Sequence, residues 1–227
     1  MEETGASIKK IYIDLLERYP KLKSCKKEIW KVYEAWTECF NKKGKLLICG
    51  NGGSEADSQH IVGELMKGFC VERPLGNEFV NKMRLLFPKD KQLEKLQSPL
   101  TAMALGNDQV LMSAYSNDIS FQMIYAQEVL GYGRENDILV ALSTSGNSSN
   151  VINAIKVAKI MGILTVGVCG MGINKGKNNM MDQLCDICIK IPEEETYLVQ
   201  ELTLPVYHAL CRMIETYYWG GNRRNGT

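Results

Sequence analysis

Residues 45–60 read KLLICGNGGSEADSQH. The apolar run Leu46-Leu47-Ile48-Cys49 enters a glycine turn, Gly50-Asn51-Gly52-Gly53, and an amphipathic segment follows from Glu55 to Phe69. That order predicts a strand handing over to a helix, with a turn in which a small anion fits against free backbone N–H groups. Phosphate is the first ligand to consider. His60 stands four residues before Glu64, so both side chains share one helical face a single turn apart.

Outward from this stretch the pattern repeats. Apolar runs recur at Leu100–Ala104, Ile138–Leu142, Leu164–Cys169 and Ile187–Ile191. Helix-length amphipathic segments lie between most of them, at Ile119–Leu130, Ser149–Met161 and Asn178–Leu184. Such alternation calls for an α/β fold, a five-stranded parallel sheet with helices on both faces in three α-β-α layers. Two helices precede the first strand within residues 1–43, broken at Tyr19-Pro20. Residues 72–99 interrupt the rhythm with charge and proline and read as an insertion, although Phe79, Met83, Leu86 and Phe87 are spaced for a short surface helix. A single domain is expected over 1–219, with 220–227 a polar, flexible tail.

Of the 227 residues, 45% are hydrophobic and 23% charged, and the formal net charge is +1. Those figures describe an ordinary globular core and no broad field for nucleic acid or an anionic membrane. With no apolar run near the roughly 20 residues that span a bilayer, and no charged-then-apolar leader, a cytoplasmic protein is expected. The eight cysteines are scattered through apolar runs, as reduced thiols would be. Cys185 and Cys188 are spaced like a redox pair but fall in the strand-like run Cys185–Ile191, and read as core.

Nucleotide motifs fail at both glycine turns. The third glycine of a dinucleotide fingerprint would fall on Glu55, and Gly176-Lys177 is followed by Asn178 where a phosphate loop needs Ser or Thr. A second strand-to-helix turn carries more chemistry: Ile138–Leu142 runs into Ser143-Thr144-Ser145-Gly146-Asn147-Ser148. One hydroxyl there would be an ordinary N-cap. Four hydroxyls in six positions exceed a cap and fit a phosphate held by side chains and backbone at a positive helix end.

The chain has two histidines. His60 has Glu64 on its face, and His208 has Gln200 eight residues earlier, with Pro205 expected to kink the helix between them. Two imidazoles, a carboxylate and an amide suit either a divalent metal such as zinc or acid–base proton transfer.

Together these residues resemble the sugar isomerase (SIS) domain family, in its sedoheptulose-7-phosphate isomerase, or phosphoheptose isomerase, branch. The resemblance rests on Leu46–Ser54 with His60 and Glu64, on Gly106-Asn107-Asp108, on Asp137–Asn150 with its STSGNS, and on Gln200-Glu201 followed by His208. It implies the SIS fold and an aldose-ketose isomerase that converts sedoheptulose 7-phosphate to glycero-manno-heptose 7-phosphate through an enediol(ate). Ser143, Thr144, Ser145 and Ser148 would hold the phosphate, with Asn51, Ser54 and Gln200 at nearby oxygens and Asp108 at sugar hydroxyls. Glu64 and His208 would be the proton-transfer pair. His60, Glu64, Gln200 and His208 would ligate zinc in members that bind it, and the family's habit is a homotetramer with sites between subunits. Thr203 stands where many relatives carry a histidine and Tyr197 where some carry an aspartate, which bears on the sugar's identity. A non-catalytic relative that binds phosphosugars or a replication initiator is the alternative, and the presence of both Glu64 and His208 argues against it.

Overall fold

The computed structural model describes residues 2–171 and 179–220. Its five strands are β1 (Leu46–Cys49), β2 (Ala102–Ala104), β3 (Ile138–Leu142), β4 (Leu164–Gly170) and β5 (Ile187–Ile191). All neighbours pair in parallel in the order β2-β1-β3-β4-β5. The helices are α1 (Glu2–Arg18), α2 (Lys26–Asn41), α3 (Gly53–Met66), α4 (Asn77–Leu86), α5 (Gln109–Tyr115), α6 (Ile124–Tyr132), α7 (Ser149–Ile160), α8 (Met180–Leu184) and α9 (Thr196–Trp219). The chain is thus the three-layer α/β fold that the alternation of runs predicts.

Each strand sends alternate residues to opposite faces, and both faces are apolar, as a covered parallel sheet requires. Leu46, Ile48, Val140, Leu142, Val166 and Ile189 join the core formed with α1, α2, α3 and α9. Leu47, Cys49, Leu139, Ala141 and Cys169 join the other, formed with α6, α7 and α8. Helix α3 therefore shares a face with α9, although more than a hundred residues separate them.

Several local expectations are corrected. The helix expected from Ile119 begins as a π turn over Ser116–Ser120 and a tight turn over Phe121–Met123, and α6 starts at Ile124. The Ser120 hydroxyl accepts from Gln122 N at 3.1 Å, a local bond that competes with the helix ladder. Helix α5 was not evident in the residue pattern, and α9 runs unbroken through Pro205. Cys185 precedes β5, so the alternation rule does not apply to it; both Cys185 and Cys188 are partly exposed and pack on the same face, where Gly167 leaves room for their sulfurs. Residues 72–99 hold α4, with Met83 buried and Phe79, Leu86 and Phe87 exposed. The start expected at Asn178 and residues 221–227 of the expected tail lie outside the described residues. Among the described residues no helix is long and apolar enough to cross a membrane.

A buried ion pair closes the helical face. Glu215 of α9 accepts from Arg73 Nε at 2.8 Å and from the N–H groups of Phe69, Cys70 and Val71 at 2.7, 2.7 and 3.2 Å. Arg73 Nη1 donates to Leu65 O at 2.5 Å and Nη2 to Glu64 O at 2.9 Å, carbonyls of the last turn of α3 that have no partner within the helix. The pair thereby fixes the C-terminal turn of α3, which carries Glu64.

Candidate active site

The turn after β1 is tight because the backbone doubles back onto α3. A Cβ on Gly50 would lie 2.7 Å from Ser54 atoms, which leaves glycine as the residue that fits. Asn51 exchanges amide hydrogen bonds with Asn150 of α7, at 2.9 and 2.8 Å, and Tyr125 donates its hydroxyl proton to Gly50 O. Asn51 thus ties the two turns together. Ser54 is buried in the first turn of α3. Beside it, burial and, less, the Glu128 charge push the Glu55 carboxyl up to about 7, and Glu55 Oε2 is buried with no hydrogen-bond partner.

The turn after β3 gathers hydroxyls. Gly146, at φ +66°, lets its N–H reach Ser143 O at 2.9 Å and packs against Asn179, so a side chain there would be both strained and obstructed. Ser143 Oγ lies 3.0 Å from Ser148 Oγ and 3.5 Å from Ser145 Oγ. Ser148 occupies the N-cap of α7 without using its side chain as a cap, so its hydroxyl stays with the cluster; Val151 N–H is taken by Asn150 Oδ1 at 3.0 Å, which leaves the N–H groups of Ser149 and Asn150 at the helix start for a ligand. Thr144 Oγ1 lies 3.4 Å from Thr196 Oγ1 at the start of α9. Three hydroxyls at a helix N-terminus form a cradle suited to phosphate.

The two histidines meet where the later turns of α3 and the middle of α9 pack together. His60 Nε2 lies 3.3 Å from His208 Nε2 and 3.3 Å from Glu64 Oε1, and one donor atom from each residue lies within 4.8 Å of the others. Tetrahedral zinc with Zn–N of about 2.0–2.1 Å separates its nitrogen ligands by roughly 3.3–3.4 Å, so the spacing and the chemistry of the donors fit that ion. Glu64 Oε2 is 3.3 Å from Lys67 Nζ. Burial, and then the neighbouring His60, hold the His208 imidazole below the usual histidine range. A cavity of about 290 Å³, lined in part by Phe69, His208, Arg18 and Arg212, opens beside the cluster.

Other candidates lie elsewhere. Gln200 packs against Gly53, at the N-terminus of α3, eight residues and about 12 Å along α9 from His208. Thr196, at the hydroxyl cradle, is twelve residues and about 18 Å of helix from His208. Asp108 caps α5, its Oδ1 accepting from Val110 N and Leu111 N, both at 3.0 Å. Thr203 is buried with its hydroxyl turned onto Val199 O, whereas Tyr197 is 60% exposed. Two residues that sequence reasoning passed over, Asp57 and Tyr207, sit behind His60. Tyr207 is buried and its oxygen lies 3.0 Å from His60 Nδ1 and 3.1 Å from Asp57 Oδ1. Asp57 could have been found, since it shares the helical face of His60 and Glu64.

The fold and its two strand-to-helix turns define a SIS domain: the SIS domain family model matches residues 13–99 and 92–170, and the chain belongs to that family. The branch follows from curated relatives. A phosphoheptose isomerase of Campylobacter jejuni is 36% identical over 190 residues, 84% of this chain and 87% of the relative. One of Akkermansia muciniphila is 31% identical over 209 residues, 92% and 95% of the two chains. The solved phosphoheptose isomerase of Neisseria gonorrhoeae is similar at a TM-score of 0.67 and 27% identity, covering 94% of this chain and 98% of its own. The protein is accordingly an isomerase of the phosphoheptose isomerase branch.

Proposed function

We propose that the protein interconverts sedoheptulose 7-phosphate and glycero-manno-heptose 7-phosphate, with Glu64 and His208 moving the protons. The observation that carries this reading is the convergence of His60, Glu64 and His208 from helices at opposite ends of the chain. Shifting a carbonyl between C2 and C1 requires a base at the carbon-bound proton, an acid at the oxygen, and stabilisation of the enediolate between them. Glu64 takes the C1 proton and returns one at C2, while His208 exchanges protons with the two oxygens. Zinc, when held by His60, Glu64 and His208, would supply Lewis-acid polarisation of those oxygens in place of the His208 proton. Incubation with sedoheptulose 7-phosphate in D2O, followed by proton NMR, tests the reading. An aldose anomeric signal with deuterium at C2 is expected, and folded protein that forms no aldose would overturn it.

Ser143, Thr144, Ser145 and Ser148 anchor the phosphate in this reading, with Asn51 holding the cradle's shape, Ser54 at a nearby oxygen and Asp108 assigned to sugar hydroxyls. About 18 Å of helix between Thr196 and His208 is long for one heptose phosphate to bridge, and in this reading the cradle and the proton-transfer pair that serve one substrate come from two copies of the chain. Gln200, distant from the triad in its own chain, would then complete the ligand set of a neighbour. This supports sites shared between subunits, as in the proposed homotetramer. Ser145→Ala should raise KM with a smaller change in kcat. Mixed oligomers of Ser145→Ala and Glu64→Gln chains should contain some unaltered sites and exceed both parents in activity at low substrate. Activity no better than the average of the parents would place each site within one chain.

His60→Ala should lower bound zinc per chain, measured by elemental analysis after dialysis against the metal. Unchanged metal content would remove His60 from the ligand set.

A further inference from the structure

We infer that Tyr207 and Asp57 form a relay that fixes the tautomer of His60, so that its Nε2 lone pair faces the triad; this rests on reading the triad as a metal site. A carboxylate only accepts hydrogen bonds, so the single Tyr207 proton points to Asp57 Oδ1, 3.1 Å away. The tyrosine oxygen is then the acceptor for His60, whose Nδ1 is 3.0 Å from it. With Nδ1 protonated, Nε2 is bare, and it is Nε2 that lies 3.3 Å from both His208 Nε2 and Glu64 Oε1. The opposite tautomer would leave Nδ1 and the Tyr207 oxygen as two lone pairs facing each other.

Packing holds the relay in place. Tyr207 is 3% exposed, and its ring meets His60 edge-on at 5.4 Å and His208 edge-on at 4.9 Å between centroids. A buried tyrosine hydroxyl needs one partner, and Asp57 alone would meet that need. The second partner is the imidazole of the metal-type cluster, aligned through the nitrogen that a ligating histidine uses for its outer contact. Tyr207 and Asp57 are therefore positioning residues, since neither enters the triad itself.

Two measurements test this. Long-range ¹H–¹⁵N NMR of metal-free protein labelled at histidine reads the tautomers directly, and with two histidines in the chain the signals are assigned from a His208→Gln variant. His60 should be Nδ1-protonated in the wild type and shift toward a mixture in Tyr207→Phe, which keeps the ring and removes the hydroxyl. Zinc affinity, read by competition with a chromophoric chelator, should fall by roughly 10–100-fold in Tyr207→Phe, with a similar direction in Asp57→Asn. An Nε2-protonated His60 in the wild type, or an unaltered tautomer in Tyr207→Phe, would overturn the relay. A correct tautomer in wild-type protein that binds no zinc would uphold the relay and defeat the metal reading instead.

Discussion

Glu64→Gln should leave the fold and phosphosugar binding intact while lowering kcat by roughly 10²–10⁴-fold, the span a positioned acid–base group contributes. The amide has the size of the carboxylate and retains an oxygen toward His60, but it has no basic oxygen to accept a carbon-bound proton. Glu64 is 14% exposed at its side chain and held by Lys67 and His60, so the loss is chemical and not one of placement. In the proposed reading the phosphate is anchored by the serine turn of a neighbouring copy, away from Glu64, so KM should change little. Steady-state kinetics with direct ligand titration checks both halves. Wild-type turnover in the variant would remove Glu64 from proton transfer.

Glu215→Ala should cost roughly 3–5 kcal/mol of stability, the penalty for stranding one member of a buried pair. Arg73 and Glu215 side chains are 0% and 1% exposed, and the substitution orphans the guanidinium together with three backbone N–H groups. For a chain of this length a thermal midpoint lower by roughly 6–20 °C follows. Because Arg73 also holds Glu64 O and Leu65 O, kcat should fall alongside, although Glu215 is not a member of the triad. An unchanged melting curve would show that water replaces the carboxylate without cost.

The two variants separate what the sequence discloses from what it conceals. Strands β1, β3 and β5 and the serine turn were legible because their signals are local: an apolar run of strand length, then glycine or hydroxyls, then a helical period. His60 and Glu64 were legible for the same reason, being one turn apart. The start of α6 was not, because a side-chain bond at Ser120 competes with the helix at that point. Arg73 with Glu215 was not legible either, since a charged residue announces burial only through a partner 142 positions away.

By itself the order of residues determined the parallel sheet, the anion-type turn and the pairs of chemical groups on α3 and α9. Tertiary structure alone decided that His60 meets His208, that Asp57 and Tyr207 stand behind them, and that Gln200 and the hydroxyl cradle lie well along the helices from that meeting point. The reason is that periodicity fixes which face of a helix a side chain occupies. Which helix lies against that face, and at what height, is set by packing across the sheet between segments remote in the chain.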